Sequence, residues 1–175
     1  NFICSLRPDE DKLAYSVIFV MDDDGEVRSW HLAHTVIRSK RRYAYEEVQT
    51  ILEQNGVKDG TGEPAPAPGP DGYTGDNAAE LIQLDRLAKK LRAARFKNGA
   101  VKFDREELRF DIDETGKPTR CYFKKSKDAN KLIEEFMLLA NRTVAESIGR
   151  VKKGQKAKTL PYRIHDQPDP TKLET

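Results

Sequence analysis

The chain has 175 residues, 37% hydrophobic and 34% charged, enough for one domain with a core yet polar for a compact one. A net charge of +2 is too near zero to argue binding of a polyanion by itself. Two cysteines, Cys4 and Cys121, form neither a disulfide framework nor a metal pair. With no signal-peptide pattern and no apolar run near the ~18 residues of a membrane span, the expectation is a soluble, cytoplasmic protein that meets no membrane.

In chain order, Lys12 to Met21 is rich in β-branched and aromatic residues and reads as a strand. Asp22-Asp23-Asp24-Gly25 is a turn, and Val27 to Ile37 returns as a second strand. Three adjacent aspartates invite a metal reading. A calcium loop, however, would need Glu where Ala33 stands, and helices on either side. A solvated hairpin turn is the better account. His31 and His34 lie three apart on the second strand, hence on opposite faces.

Arg38 to Arg42 is a basic run leading to Tyr43 and Tyr45, a combination that can hold phosphates and stack on bases but is commonly only a wet edge. Tyr45, Val48, Ile51 and Leu52 mark a short helix stopping at Asn55-Gly56. Gly56 to Gly75 is dominated by Gly, Pro and acids, and is expected to be a mobile loop with almost nothing to bury. Asn77 and Glu80 then have the spacing of a capping box. Leu81, Leu84, Leu87, Ala88 and Leu91 supply the apolar face of the helix that follows, and Lys89, Lys90, Arg92 and Arg95 suit its C-terminal dipole.

Asn98-Gly99 is a turn, after which Val101 to Phe103 begins strand structure. Leu108 to Ile112 and Thr119 to Phe123 flank a turn as a hairpin. Asn130 to Ile148 is a long helix with Asp128 as its N-cap and a stripe of Ile133, Phe136, Met137, Ala140, Val144 and Ile148 facing a core. Glu134 and Glu135 sit near its start. Either both favour the positive helix end and point at water, or one accepts hydrogen bonds from a ligand. Arg150, Lys152, Lys153, Lys156 and Lys158 share a loop that offers a second phosphate contact, and Leu160 to Ile164 reads as a short last strand. The fold class is therefore α+β, with mixed or antiparallel strands and packed helices.

The chain opens on Asn1 without an initiator Met and closes on Asp169 to Glu174, one turn of a helix too short to bury a face. The expectation is a piece of a larger polypeptide. There is no P-loop, no dinucleotide fingerprint and no zinc spacing, and no nucleophile has a base nearby in sequence.

Several segments together resemble the catalytic domain of the RNB family of ribonucleases. They are Cys4 to Pro8 with Asp11-Lys12-Leu13, Tyr45 to Val48, Phe110 to Thr119, Leu132 to Glu146 and Tyr162 to Asp166. The order and spacing agree from end to end apart from the Gly/Pro loop, so residues 1–175 correspond to the central part of that domain. The resemblance implies hydrolysis of single-stranded RNA from its 3′ end to nucleoside monophosphates, with Mg²⁺ orienting water. The family's aspartate spacing, D-x-x-x-x-x-D-x-D-D, occurs nowhere here. Mg²⁺ ligands and catalytic residues are accordingly expected outside this chain, on the rest of the parent polypeptide, with the chain inactive alone.

What the resemblance places here is the grip on the RNA 3′ end: Tyr45 and Glu134 at the ribose, Phe103 stacking on a terminal base. Phe110 competes with Phe103, and Tyr43 with Tyr45, though Tyr45 has the right spacing to Val48. A carboxylate and a phenol suit the role, because the 2′-hydroxyl distinguishes RNA from DNA. The alternative is a non-catalytic RNA-binding module of the same fold. A third reading is an interaction domain whose basic loops are merely solvated.

Overall fold

The computed structural model describes residues 3–101, 106–150, 154–156, 158, 159, 161 and 164. Strands β1 (Asp11–Met21) and β2 (Val27–Arg38) form an antiparallel hairpin, followed by helices α1 (Tyr45–Gln54) and α2 (Ala78–Lys97). A second antiparallel hairpin, β3 (Glu107–Ile112) and β4 (Pro118–Lys124), precedes α3 (Asp128–Gly149). This is the α+β arrangement expected, with two separate two-stranded sheets. Compact units comprise Asn1–Leu139 and Ala140–Thr175, and everything described below belongs to the first.

The first hairpin is in register from Asp11↔Arg38, slipping once between Val20 and Met21. Strict alternation puts Leu13, Tyr15, Val36 and His34 on one face, with Leu13 opposite Val36 and Tyr15 opposite His34. Among the described residues nothing covers that face: Leu13 is 88% and Val36 64% exposed. His31 pairs with Ile18 and so lies on the other face, as its spacing from His34 requires.

The Asp22–Gly25 turn is not simply solvated. Asp22 Oδ1 accepts the N–H groups of Asp24 and Glu26, which with Arg28 holds its carboxyl below the usual range. Asp23 and Asp24 reach α2, where Arg86 Nη2 donates to Asp23 at 2.8 Å and Lys90 Nζ to Asp24 at 3.1 Å. Lys90 thus serves as a tertiary tie, beyond complementing a dipole.

A small core forms where α1 meets α2. Leu52, Val57 and Ile82 are buried together, with Val48, Ala65 and Tyr73 against them. The end of α1 explains how Val57 arrives there. Gly56 N–H bonds to Glu53 O and Val57 N–H to Leu52 O, the paired bonds of a Schellman motif, which brings the residue after glycine onto the last turn. The Gly/Pro segment was expected to bury almost nothing, yet it carries Val57, Ala65 and Tyr73 into this core. Further ties run from Gly60 N to Asp128, Lys89 Nζ to Glu63 O, and Tyr73 Oη to Pro66 O.

Other details differ from the sequence expectation. Asn77 makes no capping bond: it is left-handed (φ 50°), and its amide donates to the Tyr43 hydroxyl at 2.6 Å. The buried face of α2 is Ala78, Ile82, Asp85, Leu87 and Ala88, while Leu84 is exposed. In α3 the inward residues are Asp128, Ala129, Leu132 and Glu135, while Ile133 and Met137 of the expected stripe are exposed. Charge explains the shift, because both buried acids find cations on α2. Asp128 is inside the first turn; Asn130 reaches back to the Lys127 N–H instead. The expected Leu160–Ile164 strand lies largely outside the described residues.

Candidate RNA-contact site

A buried amide sets α1 against the start of α3. Gln49 is 4% exposed, and its Oε1 accepts the Ala129 N–H at 3.1 Å, satisfying one of the orphan donors at the helix N-terminus. Its Nε2 donates to Glu53 at 2.9 Å. Gln49 is one turn from Tyr45, and Ala129 is next to Asn130, so the bond brings Tyr45 and Asn130 to the same groove.

That groove has a volume of about 610 Å³ and is lined by Tyr45, Tyr122, Lys124, Lys127 and Asn130 among others. Tyr45 is 45% exposed, and among the described residues its hydroxyl has no hydrogen-bond partner. The rival Tyr43 is spoken for. Its hydroxyl donates to Asp76 and accepts from Asn77, and Arg41 lies 4.5 Å over its ring. The groove mixes charges: Lys124 pairs with Glu46 at 3.0 Å and Lys127 with Glu53 at 3.1 Å. Lys124 lowers the Glu46 pKa, while Gln49 and then Lys127 lower that of Glu53, so both acids stay ionised. An RNA phosphate would compete with them for the lysines.

Glu134 lies one turn beyond Asn130 on the same side of α3 and does not itself line the groove. The structure thus brings Tyr45 and Asn130 together and leaves Glu134 on the adjoining turn. Glu134 remains about half exposed, and its Oε1 accepts from Arg95 Nη2 at 3.1 Å. Its neighbour Glu135 does not point at water: it is 3% exposed. Arg95 holds Glu135 bidentately, Nε to Oε2 at 3.1 Å and Nη2 to Oε1 at 2.5 Å, and Arg92 stands 3.6 Å away. The Glu135 hydrogen bond, followed by the charges of Glu135 and Glu134, keeps the Arg95 pKa above its ordinary value. Phe103 lies outside the described residues. Its rival Phe110 is half exposed on β3.

Sequence reasoning missed Arg95, Glu135 and Gln49 as organising residues. The signal for Arg95 was faint: cations ending one helix and an acid pair opening another fit a dipole account equally well. Gln49 carries no signal in sequence at all. Among the described residues no three His, Cys, Asp or Glu side chains converge as a metal site. No helix among them is long and apolar enough to cross a membrane.

Comparison with known proteins accords with this architecture. The RNB domain family model matches residues 1–175. DIS3-like exonuclease 2 of Schizosaccharomyces pombe is 40% identical over 149 residues, 85% of this chain and 16% of its own. Ribonuclease R of Aquifex aeolicus is 34% identical over 173 residues, 98% of this chain and 22% of its own. Among solved structures, Mycoplasma genitalium RNase R in complex with ribose methylated single-stranded RNA superposes with a TM-score of 0.73 at 25% identity, covering 99% of this chain and 24% of that one. The chain therefore spans less than a quarter of the length of these proteins, and it belongs to the RNB family of exoribonucleases, with ribonuclease R and DIS3-like exonucleases among its homologues.

Proposed function

We propose that this chain forms part of the RNA grip of a 3′-to-5′ exoribonuclease that hydrolyses single-stranded RNA to nucleoside monophosphates in the cytoplasm. Tyr45 and Glu134 contact the ribose 2′-hydroxyl near the 3′ end, and Phe103 stacks on a base. Mg²⁺ is held by residues outside the chain, on the rest of the polypeptide, and the isolated chain does not hydrolyse RNA. Single-stranded RNA as the ligand class follows the complex formed by the M. genitalium enzyme.

The observation that supports this reading most is the state of Tyr45. It is an exposed ring whose hydroxyl is unengaged among the described residues, beside a groove that bears lysines and Asn130, and Asn130 is one turn of α3 from the half-exposed Glu134 carboxylate. A tyrosine kept only for packing would bury its ring and satisfy its hydroxyl. Stacking and 2′-hydroxyl contacts together would grip RNA of any sequence while rejecting DNA.

The test uses the full-length polypeptide that carries this chain. Tyr45→Ala and Glu134→Ala should each raise degradation of a strand with 2′-deoxy sugars near its 3′ end relative to RNA. Hydrogen bonds worth about 0.5–3 kcal/mol, according to charge, translate into roughly two- to a hundredfold changes in that ratio. An unchanged ratio in both variants overturns the reading.

A further inference from the structure

Arg95 makes one contact more than its structural task requires. Bidentate pairing with Glu135 already neutralises the one carboxylate in this cluster that is almost wholly buried. Yet Nη2, already engaged with Glu135, also reaches Glu134 Oε1 at 3.1 Å, and Glu134 is 48% exposed and would be adequately solvated alone.

We infer that Arg95 is a positioning residue for RNA selectivity, holding the Glu134 carboxylate in one orientation through Oε1 so that Oε2 is presented to the ribose. This rests on the reading of Glu134 as the sugar-sensing acid. The physical need is conformational. A free glutamate populates many rotamers, and ordering it at the moment of binding would offset much of a single hydrogen bond.

Arg95 is equipped to act as the fixed point. Glu135 grips its guanidinium at two atoms, the Phe96 ring lies 5.0 Å from its Cζ, and its own carbonyl accepts the Ala100 N–H. That last bond, with Gly99 N–H to Phe96 O, closes α2 in a Schellman motif, with Gly99 at φ 91°. The backbone under Arg95 is thus set by a defined helix stop, and its head by a buried partner. A lysine has neither the planar fork nor the second donor direction, so it would satisfy Glu135 or Glu134 but not both in this geometry.

The experiment measures the ratio of degradation rates for single-stranded RNA and its counterpart with 2′-deoxy sugars near the 3′ end, again in the full-length polypeptide. Variants are Glu134→Ala, Arg95→Lys, their combination, and the pair Arg95→Met with Glu135→Leu. The last removes the buried ion pair without leaving a lone buried charge, so it keeps the helices packed if Arg95→Lys does not fold. Folding is followed separately by thermal melting.

The expected result is that Arg95→Lys lowers the RNA preference about three- to tenfold. The Met/Leu pair should do the same, and Arg95→Lys should add nothing in the Glu134→Ala background. A folded Arg95→Lys or Met/Leu variant with the original ratio, while Glu134→Ala loses it, overturns the positioning role and leaves the sugar-sensing acid standing. A ratio that Glu134→Ala does not move overturns the reading of Glu134 as the sugar-sensing acid and the positioning role together.

Discussion

Gln49 Oε1 accepts the Ala129 N–H at 3.1 Å, so a buried side chain of α1 completes the first turn of α3. That bond spans 80 residues of sequence and sets the register between Tyr45 and Asn130. Gln49→Leu removes the acceptor and strands a buried donor, which should cost about 1–3 kcal/mol. Thermal melting measures the loss, and faster amide exchange at Ala129 localises it. Gln49→Glu, which keeps an acceptor but faces Glu53, should fall between.

Asp85 is an acid buried at a cost. It is 2% exposed, and burial raises its pKa despite the Lys89 ammonium 2.7 Å away, with Asp128 adding to the rise. A carboxyl whose folded pKa is raised binds its proton more tightly when folded, so its stabilising contribution is full below the unfolded value of 3.8 and is lost as pH rises through the folded value. Asp85→Asn cannot titrate. The stability of the parent chain should therefore gain on that variant as pH falls from 7 toward 4. Denaturant unfolding at several pH values checks the sign, and a gap that is flat or widens the other way contradicts it.

Within the Gly/Pro segment, glycines should differ in tolerance. Gly56 has φ 82°, and an added Cβ would meet Pro66 Cγ at 2.8 Å. Gly56→Ala should cost about 1–2 kcal/mol for the left-handed backbone alone, with the displacement of Pro66 adding to it. Gly69 has no such backbone and nothing within 4 Å of its Cβ position. Gly69→Ala should be neutral or slightly stabilising, within about 0.5 kcal/mol. Paired melts decide whether the segment is anchored at its start as described.

Tyr45 and Glu134, if they share one sugar, should not act independently. The double alanine variant should change the RNA-to-DNA rate ratio by less than the sum of the single effects, with a coupling of about 0.5–3 kcal/mol. Simple additivity would place them on different nucleotides.

Local chemistry was legible in the sequence where the information is local. Asn55-Gly56 and Asn98-Gly99 ended helices as written, and the strand pairs around Asp22–Gly25 and Asp113–Pro118 formed hairpins. The faces of α2 and α3 were not legible. A hydrophobic count assigns Ile133 and Met137 to the interior, whereas the acids Asp128 and Glu135 occupy it because Lys89, Arg92 and Arg95 meet them there. Which cation meets which acid depends on how α2 and α3 are placed, which a hydrophobic count does not carry. The candidate residues Tyr45, Phe103 and Glu134 came from motif resemblance; Arg95 needed coordinates.

The uncovered face of the β1–β2 ribbon has a colloidal consequence. Among the described residues no further strand pairs with the outer N–H and C=O groups of this two-stranded ribbon, and those edges flank exposed Leu13, Tyr15 and Val36. Purified alone, the chain would use this surface as a template for adding strands from its own copies. Its apparent mass by light scattering should rise with concentration, and Val36→Lys, placing a charge opposite Leu13, should suppress that rise without unfolding the helices.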